Sequence, residues 1–323
     1  MTPILVTGAA GFIGFHACLR LLGEGRAVVG IDNLNDYYDP ALKQARLDQL
    51  TPHPAFTFIR CDIAGKGAME KLWRDHGPFA EVVHLAAQAG VRHSLQDPYS
   101  YIHSNCLGHL TVLEMCRHTP GFRHLVYASS SSVYGGNDKR PYAPEDSVDH
   151  PLSLYAATKR ADELMSHSYA HLYRLPQTAL RFFTVYGPWG RPDMAPHIFT
   201  QAIDAGSKVA VYNNGRMKRD FTYIDDAVSM LCGVLSRPPD EPRHRVLNIG
   251  NTRSENLMDF IGAIEQALGK QADIDFNPLQ PGDAVETCAD MTATAALTGL
   301  TPATSIREGV PHFVAWYKDY YRP

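Results

Sequence analysis

No uninterrupted apolar run in this chain reaches the length of a bilayer-crossing helix, so no membrane partner is expected. The six cysteines, Cys18, Cys61, Cys106, Cys116, Cys232 and Cys288, are scattered without a CxxC pair, which argues against a zinc site or a disulfide framework and for buried free thiols. Neither sign of charge dominates: 30 Lys and Arg face 34 Asp and Glu, a net charge of −4 that provides no broad electropositive field for nucleic acid. Repeats and low-complexity tracts are absent. The histidines His84, His93, His103, His109, His118 and His124 lack paired ligand spacing, so no metal is expected. The first apolar run, Pro3 to Val6, starts beside Met1 and meets Gly8, leaving no basic region or long apolar stretch of a secretion signal. A soluble, reducing, cytoplasmic setting is the expectation.

What is present is a large apolar fraction, 45% of 323 residues, enough to bury a sizeable core. Short β-rich runs at Ile4–Val6, Val28–Ile31, Phe56–Ile59, Val82–Leu85, Leu125–Tyr127 and Thr178–Phe182 alternate with helical spacing over 12–22, 41–50, 68–76, 99–118 and 154–173. That rhythm predicts an α/β fold, a doubly wound, Rossmann-type parallel sheet with crossover helices. After the Tyr186-Gly187-Pro188 turn the texture shifts to glycine and proline turns between shorter elements. Residues 1–187 are therefore read as a dinucleotide-binding domain, and 188–323 mainly as a smaller C-terminal α/β substrate lobe. A strand near 245–250 is expected to return to the first sheet, and helices are expected over 257–268 and 306–320.

Directly after the first strand runs Gly8-Ala9-Ala10-Gly11-Phe12-Ile13-Gly14, a GxxGxxG loop opening a helix. Gly8 permits a tight turn, Gly11 lets backbone amides approach a pyrophosphate, and Gly14 allows close packing, with the anion at the positive helix end. Asp32 closes the second strand, where a carboxylate accepts hydrogen bonds from both ribose hydroxyls and repels a 2′-phosphate, favouring NAD over NADP. Asp62, after the third strand, is a candidate for the adenine end, with helix capping as its rival reading.

Farther on, Tyr155-Ala156-Ala157-Thr158-Lys159 follows the run Ser129-Ser130-Ser131-Ser132 by about 25 residues. A phenol titrates near pH ~10 and serves as a base at neutrality only beside a cation. Four residues along a helix put Lys159 on the face of Tyr155. A serine hydroxyl opposite the phenol would share the proton of a substrate alcohol while hydride leaves the adjacent carbon. The rival reading is an ordinary amphipathic helix.

Taken together, the glycine loop, Asp32, Leu85-Ala86-Ala87-Gln88, Ser129 to Tyr134, Tyr155-x-x-x-Lys159 and Arg219-Asp220-Phe221-x-x-Ile224-Asp225-Asp226 make the chain resemble the extended short-chain dehydrogenase/reductases of the NAD-dependent epimerase/dehydratase family, over nearly its whole length. Asn33 to Asp39 and Phe182 to Met194 resemble the branch acting on uronic acids, the UDP-glucuronate 4-epimerases. The resemblance implies Tyr155 as catalytic base, Lys159 as the cation that orients the nicotinamide ribose, and Ser130 in the catalytic Ser/Thr position. It also implies NAD contacts from Gly8, Ala10, Gly11, Phe12, Ile13, Gly14, Asp32, Asn33, Asp62, Ile63, Leu85, Ala86, Ala87, Gln88, Asn105 and Ser129. For the substrate, a UDP-hexuronic acid, it implies Ser131, Ser132, Thr184 and Arg191 around the carboxylate, Arg219 at the diphosphate, and Arg92 and Asp283 as further contacts.

Arg191 also reads as a loop arginine that caps a helix or pairs with Asp193, and Arg92 as a helix cap. The family's dehydratases carry Asp-Glu where this chain has Ser131 and Ser132, and its decarboxylases carry Glu at Ser132, so epimerisation at C4 is the expected chemistry. A neutral UDP-hexose 4-epimerase, a decarboxylase, a net-oxidising dehydrogenase and a non-catalytic NAD-binding scaffold are the alternatives. A homodimer through helices 99–118 and 154–173 is expected from the same resemblance.

Overall fold

The computed structural model describes residues 2–241, 243–280 and 284–322. Six strands alternate with helices in the first half: β1 (Ile4–Thr7), α1 (Phe12–Gly23), β2 (Val28–Asp32), α2 (Pro40–Leu50), β3 (Phe56–Arg60), α3 (Lys66–His76), β4 (Glu81–His84), α4 (Pro98–Tyr101), α5 (Gly108–Arg117), β5 (His124–Ser130), α6 (Leu154–Tyr173) and β6 (Gln177–Phe182). Beyond them come β7 (Thr184–Tyr186), α7 (Ala195–Ala205), β8 (Lys208–Val211), β9 (Lys218–Arg219), β10 (Phe221–Tyr223), α8 (Ile224–Leu235), β11 (His244–Ile249), β12 (Glu255–Asn256), α9 (Leu257–Leu268), β13 (Asp273–Phe276), α10 (Thr292–Thr298) and α11 (Ile306–Tyr321).

The main sheet is parallel throughout, in the order β11-β6-β5-β4-β1-β2-β3. Strand side chains alternate between faces, and the sheet has a core on each. Leu5, Ile31, Val82 and Leu125 pack with Met69 and Leu72 of α3 and Val112, Leu113 and Cys116 of α5. Ile4, Val6, Val83 and Val126 pack with Phe15 and Leu21 of α1, Leu47 of α2 and Leu231 of α8. The Rossmann-type sheet and the returning strand stand as expected. The chain leaves β3 and comes back on the other side of β1, which opens a crevice at the carboxyl ends of β1 and β4.

After residue 187, α8 also returns, against α1 and β5, and α10 packs on β11. The apolar stripe Ile224, Ala227, Val228, Leu231, Val234 and Leu235 has the helical period that requires such burial. Three two-stranded sheets, β7 with β10, β8 with β13 and β9 with β12, build the remaining lobe with α7, α9 and α11.

The helix expected over 99–118 runs from Pro98 to Arg117 but contains a wide π turn at Ile102–Leu107. Such turns insert one extra residue per turn and re-aim side chains. Here Asn105 is turned fully inward, 1% exposed.

Candidate active site

Every strand of the crevice contributes at its carboxyl end. Gly8 has φ +72°, and a Cβ there would stand 2.8 Å from the Ala86 amide nitrogen; a Cβ on Gly14 would stand 2.0 Å from the Gly8 carbonyl oxygen. No side chain fits at either position. The α1 amino terminus at Gly11 carries no side-chain cap and no acid in its first turn, so its amides face the cleft without a resident anion. Asp32, 8% exposed, accepts from the Leu34 amide at 2.8 Å. Asp62 lines the cleft and accepts from the Ala64 amide at 2.9 Å; it does not cap α3, whose N-cap Gly65 has no side-chain bond.

One continuous cleft joins these groups to the reactive end. Of the residues proposed from sequence, Gly8, Gly11, Phe12, Ile13, Gly14, Asp32, Asn33, Asp62, Ile63, Leu85, Ala86, Ala87, Gln88, Ser129, Ser130, Ser131, Ser132, Tyr155, Lys159, Thr184 and Arg191 line it. Ala10 stands behind the loop, its carbonyl accepting from Arg46 at 2.8 Å. Asn105 is also set back. Its Oδ1 accepts from the Gln88 amide at 2.8 Å while its Nδ2 donates to the Gln88 carbonyl at 3.1 Å and Thr158 Oγ1 at 3.0 Å. It fixes the cleft wall rather than forming it. Arg92 stacks over the Tyr212 ring at 5.0 Å, and Arg219 donates to the Lys218 and Val285 carbonyls at 2.9 and 3.1 Å. Neither is a lining residue of this cleft. Asp283 lies outside the described residues.

Among the lining residues outside the site assignment are Asn35, Tyr37, Tyr38 and Lys43. The Lys43 ammonium donates to Asn35 Oδ1 at 2.6 Å, and burial pushes its pKa down while Asp32 opposes the shift. Thr7 was also missed. Its Oγ1 accepts from the Leu85 and Ala86 amides at 3.1 and 3.0 Å and contacts His84 Nδ1 at 2.7 Å, tying β1 to the start of the β4 loop. Desolvation takes the His84 pKa down to about 3, so the ring is neutral.

The reacting groups come from β5 and α6. Ser130 Oγ accepts from the Ser132 amide at 3.1 Å and lies 3.1 Å from Ser132 Oγ. Ser153 caps α6 by accepting from the Ala156 amide, so the helix starts at Leu154, one residue before Tyr155. Tyr155 packs edge-on against Tyr101, ring centroids 6.1 Å apart. One turn on, Lys159 is 3% exposed and donates to the Ala128 carbonyl at 2.9 Å and to Asp162 Oδ2 at 3.2 Å. Ser129 donates to Glu163 at 2.6 Å, and Glu163 also receives both Arg181 Nε and Nη2, at 2.9 and 3.0 Å. This buried lattice sets α6 against β5 and β6.

Asp162 stands beside Lys159 with Oδ1 unbonded among the described residues. Burial pushes its pKa up to about 7 although Lys159 opposes the shift. A carboxyl raised above its unfolded value near ~3.9 holds an extra proton in the folded state between those limits, so stability falls as pH rises through them. Asp162→Asn is therefore expected to abolish a decline of up to about 1.4 kcal/mol per pH unit between pH ~4 and ~7. Thermal midpoints of the two proteins across that window test this; parallel curves would contradict it.

Arg191 faces the cleft with Ser131, Ser132, Thr184 and Tyr155, and it makes the pair with Asp193 through Nε at 3.0 Å and Nη2 at 2.5 Å. Burial alone would lower the guanidinium's pKa; the Asp193 carboxylate reverses that and raises it. A match to the model of the NAD dependent epimerase/dehydratase family spans residues 4–250. The chain belongs to this family. Curated relatives of this epimerase/dehydratase chain include a probable UDP-glucuronate 4-epimerase of Rhizobium meliloti strain 1021, 44% identical over 98% of this chain and 97% of its own. UDP-glucuronate 4-epimerase 3 of Arabidopsis thaliana is 42% identical over 98% of this chain and 77% of its own. Among solved structures, UDP-glucuronic acid 4-epimerase of Bacillus cereus in complex with UDP-glucuronic acid and NAD superposes with TM-score 0.92 at 35% identity, covering 99% of this chain and 100% of that one. The cradle without room for a Cβ, the uncapped α1 terminus and Asp32 fit NAD as the family's cofactor.

Proposed function

We propose that this family member inverts C4 of a UDP-hexuronic acid, converting UDP-glucuronate to UDP-galacturonate as an NAD-dependent isomerase. The observation that carries this reading is the single cleft. It brings the phosphate loop and Asp32 together with Ser130, Tyr155 and Lys159, and Arg191, Thr184, Ser131 and Ser132 line the same cleft.

Tyr155 takes the O4 proton, with Ser130 as hydrogen-bond partner to the same oxygen and the Lys159 ammonium favouring the phenolate. NAD bound in this cleft accepts the C4 hydride and later returns it. Rotation of the 4-keto sugar about its phosphate linkage presents the opposite ring face, and Tyr155 gives the proton back to O4. The 4-ketone makes the C6 carboxylate a β-keto acid, so the breaking C5–C6 bond must be kept out of line with the carbonyl. Ser131, Ser132, Thr184 and Arg191 are the donors assigned to that restraint. Neither Ser131 nor Ser132 supplies the acid and base that dehydration requires.

Residues 1–187 with the returning elements are assigned to the cofactor, and residues 188–323 mainly to UDP. Arg219 is assigned to the diphosphate, and Arg92 is kept as a further substrate contact. Ile102 and Leu107 of the helix at 98–117, and Leu164 and Leu172 of α6, are exposed apolar side chains that support a homodimer face. Buried or half-buried free cysteines at all six positions support a cytoplasmic setting.

Incubating the purified protein with UDP-glucuronate and following the anomeric protons tests the reading. A new UDP-galacturonate signal with no net nicotinamide reduction is expected. A UDP-pentose as the main product, or stoichiometric reduced nicotinamide, would replace this assignment with decarboxylation or net oxidation.

A further inference from the structure

Asp193 is absent from the cleft lining, yet it takes the Nε and Nη2 edge of Arg191 in a parallel, two-bond pairing and accepts a third bond from the Tyr37 hydroxyl at 3.0 Å. Tyr37 and Asp193 lie 156 residues apart in the chain. Three segments converge on the pair: the loop after β2 brings Tyr37, the loop after β7 brings Arg191 and Asp193, and the loop after β4 makes room at Gly90. A Cβ on Gly90, whose φ is +105°, would stand 2.5 Å from the Tyr37 hydroxyl. The Tyr101 hydroxyl holds that loop by donating to the Ala89 and Gly90 carbonyls at 2.8 and 2.5 Å. The backbone has been shaped around the phenol that fixes Asp193.

Two consequences follow for any carboxylate that Arg191 meets. Its Nε–Nη2 edge is taken, so only the Nη1–Nη2 edge remains for a ligand, in a plane that Asp193 fixes. The pair also carries no net charge, so a ligand carboxylate is attracted mainly by directed hydrogen bonds. A free arginine would supply a stronger pull and a looser orientation.

We infer that Asp193, held by Tyr37, is a positioning residue that fixes the orientation of Arg191 and thereby sets how often the 4-keto uronic acid is re-reduced intact rather than losing carbon dioxide. This rests on the uronate reading above. In the competing reaction the C5–C6 bond breaks, carbon dioxide leaves, and the bonding pair moves into the C4 carbonyl while O4 takes a proton from Tyr155. The enol then takes a proton at C5, and the hydride already held by the cofactor returns to C4, so the product is a UDP-pentose and the cofactor ends oxidised. The first step is fast only when C5–C6 lies parallel to the carbonyl π-system. A carboxylate gripped in one plane by a fixed guanidinium edge cannot swing the ring substituent freely into that alignment.

Asp193→Asn keeps the shape but cannot accept both arginine N–H groups as an anion. Tyr37→Phe deletes one hydroxyl and leaves Arg191 and Asp193 in place. With UDP-glucuronate as substrate, Asp193→Asn is expected to raise the ratio of UDP-pentose to UDP-galacturonate by about tenfold or more, the partitioning that ~1.4 kcal/mol of barrier commands. KM should fall or hold within about twofold, because a partly exposed neutralising carboxylate has been removed and its loss exposes the cation. Tyr37→Phe should move the ratio the same way by a factor of about three, because one of the three bonds on the Asp193 carboxylate is lost while its two-bond pairing with Arg191 remains. It carries the test if the Asp193 variant does not fold.

A purely structural role would lower stability or total turnover and leave the product ratio unmoved. If the wild-type enzyme makes UDP-galacturonate and both variants, folded and holding NAD, show its product ratio, this inference is overturned and the functional reading stands. A wild-type enzyme that makes no UDP-galacturonate overturns the functional reading and this inference with it.

Discussion

Tyr155→Phe is expected to yield a folded protein that still holds NAD and turns over UDP-glucuronate roughly 10²–10⁴-fold more slowly, the span that one positioned acid–base group contributes. The substitution is confined to one oxygen. The phenylalanine ring fills the same space against Tyr101, and Tyr155 lies in the first turn of α6, a helix fixed by its Ser153 cap and by the Glu163 and Lys159 contacts. The cofactor end of the cleft, at Gly8, Gly14 and Asp32, is built from β1, α1 and β2 and does not depend on that hydroxyl. Loss of the proton acceptor alone therefore separates chemistry from binding. Single-turnover reduction of the bound nicotinamide by UDP-glucuronate measures it. A rate within about tenfold of wild type would remove Tyr155 from the proton transfer.

The second large effect is on stability. Glu163→Ala is expected to cost about 3–5 kcal/mol, because it leaves the Arg181 guanidinium, 2% exposed, without its carboxylate inside the protein. Among the described residues Arg181 would keep the Pro144 carbonyl at 3.1 Å and the face of Tyr134 at 4.8 Å, and Ser129 would lose its acceptor. Burial alone would raise the Glu163 pKa, yet Arg181 holds it below the usual range. By sign, a depressed carboxyl pKa stabilises fully above the unfolded value near ~4.3 and loses that contribution as pH falls through the folded value. The deficit of the variant should thus be complete at neutral pH and shrink in acid. Replacing both partners, Glu163→Leu with Arg181→Met, should recover much of the loss, since no buried charge is then left unpaired. Denaturant unfolding at pH 7 is the measurement. A deficit below about 1 kcal/mol in the single variant would mean that Arg181 finds other compensation.

The sheet and the cofactor end were legible because their determinants are local. Strand runs such as Val28–Ile31 and the glycine spacing from Gly8 to Gly14 carry their physical reason within a few residues. Asp62 and Arg191 both line the cleft, and of their rival readings the Arg191–Asp193 pair is present while the helix cap at Asp62 is not. What was not legible depends on pairs distant in the chain. Nothing near Tyr37 in sequence points to Asp193, and nothing near Thr7 points to the amides of Leu85 and Ala86. Asn105 is a cofactor contact by the resemblance alone, and the π turn that rotates it towards Gln88 leaves no signature in apolar spacing. The return of α8 was hidden for another reason. Its stripe from Ile224 to Leu235 is plainly amphipathic, but the period states only that one face is buried, not that α1 and β5 cover it.

The central claim is that hydride leaves C4 and comes back to C4 of the same sugar, on the opposite face, without leaving the enzyme. UDP-glucuronate carrying deuterium at C4 tests it most directly, with the product analysed by mass and by its C4 proton signal. Full retention of deuterium at C4 of UDP-galacturonate in ordinary water is the predicted result. Replacement of that deuterium by solvent hydrogen, or its appearance at another carbon, would contradict transient oxidation at C4.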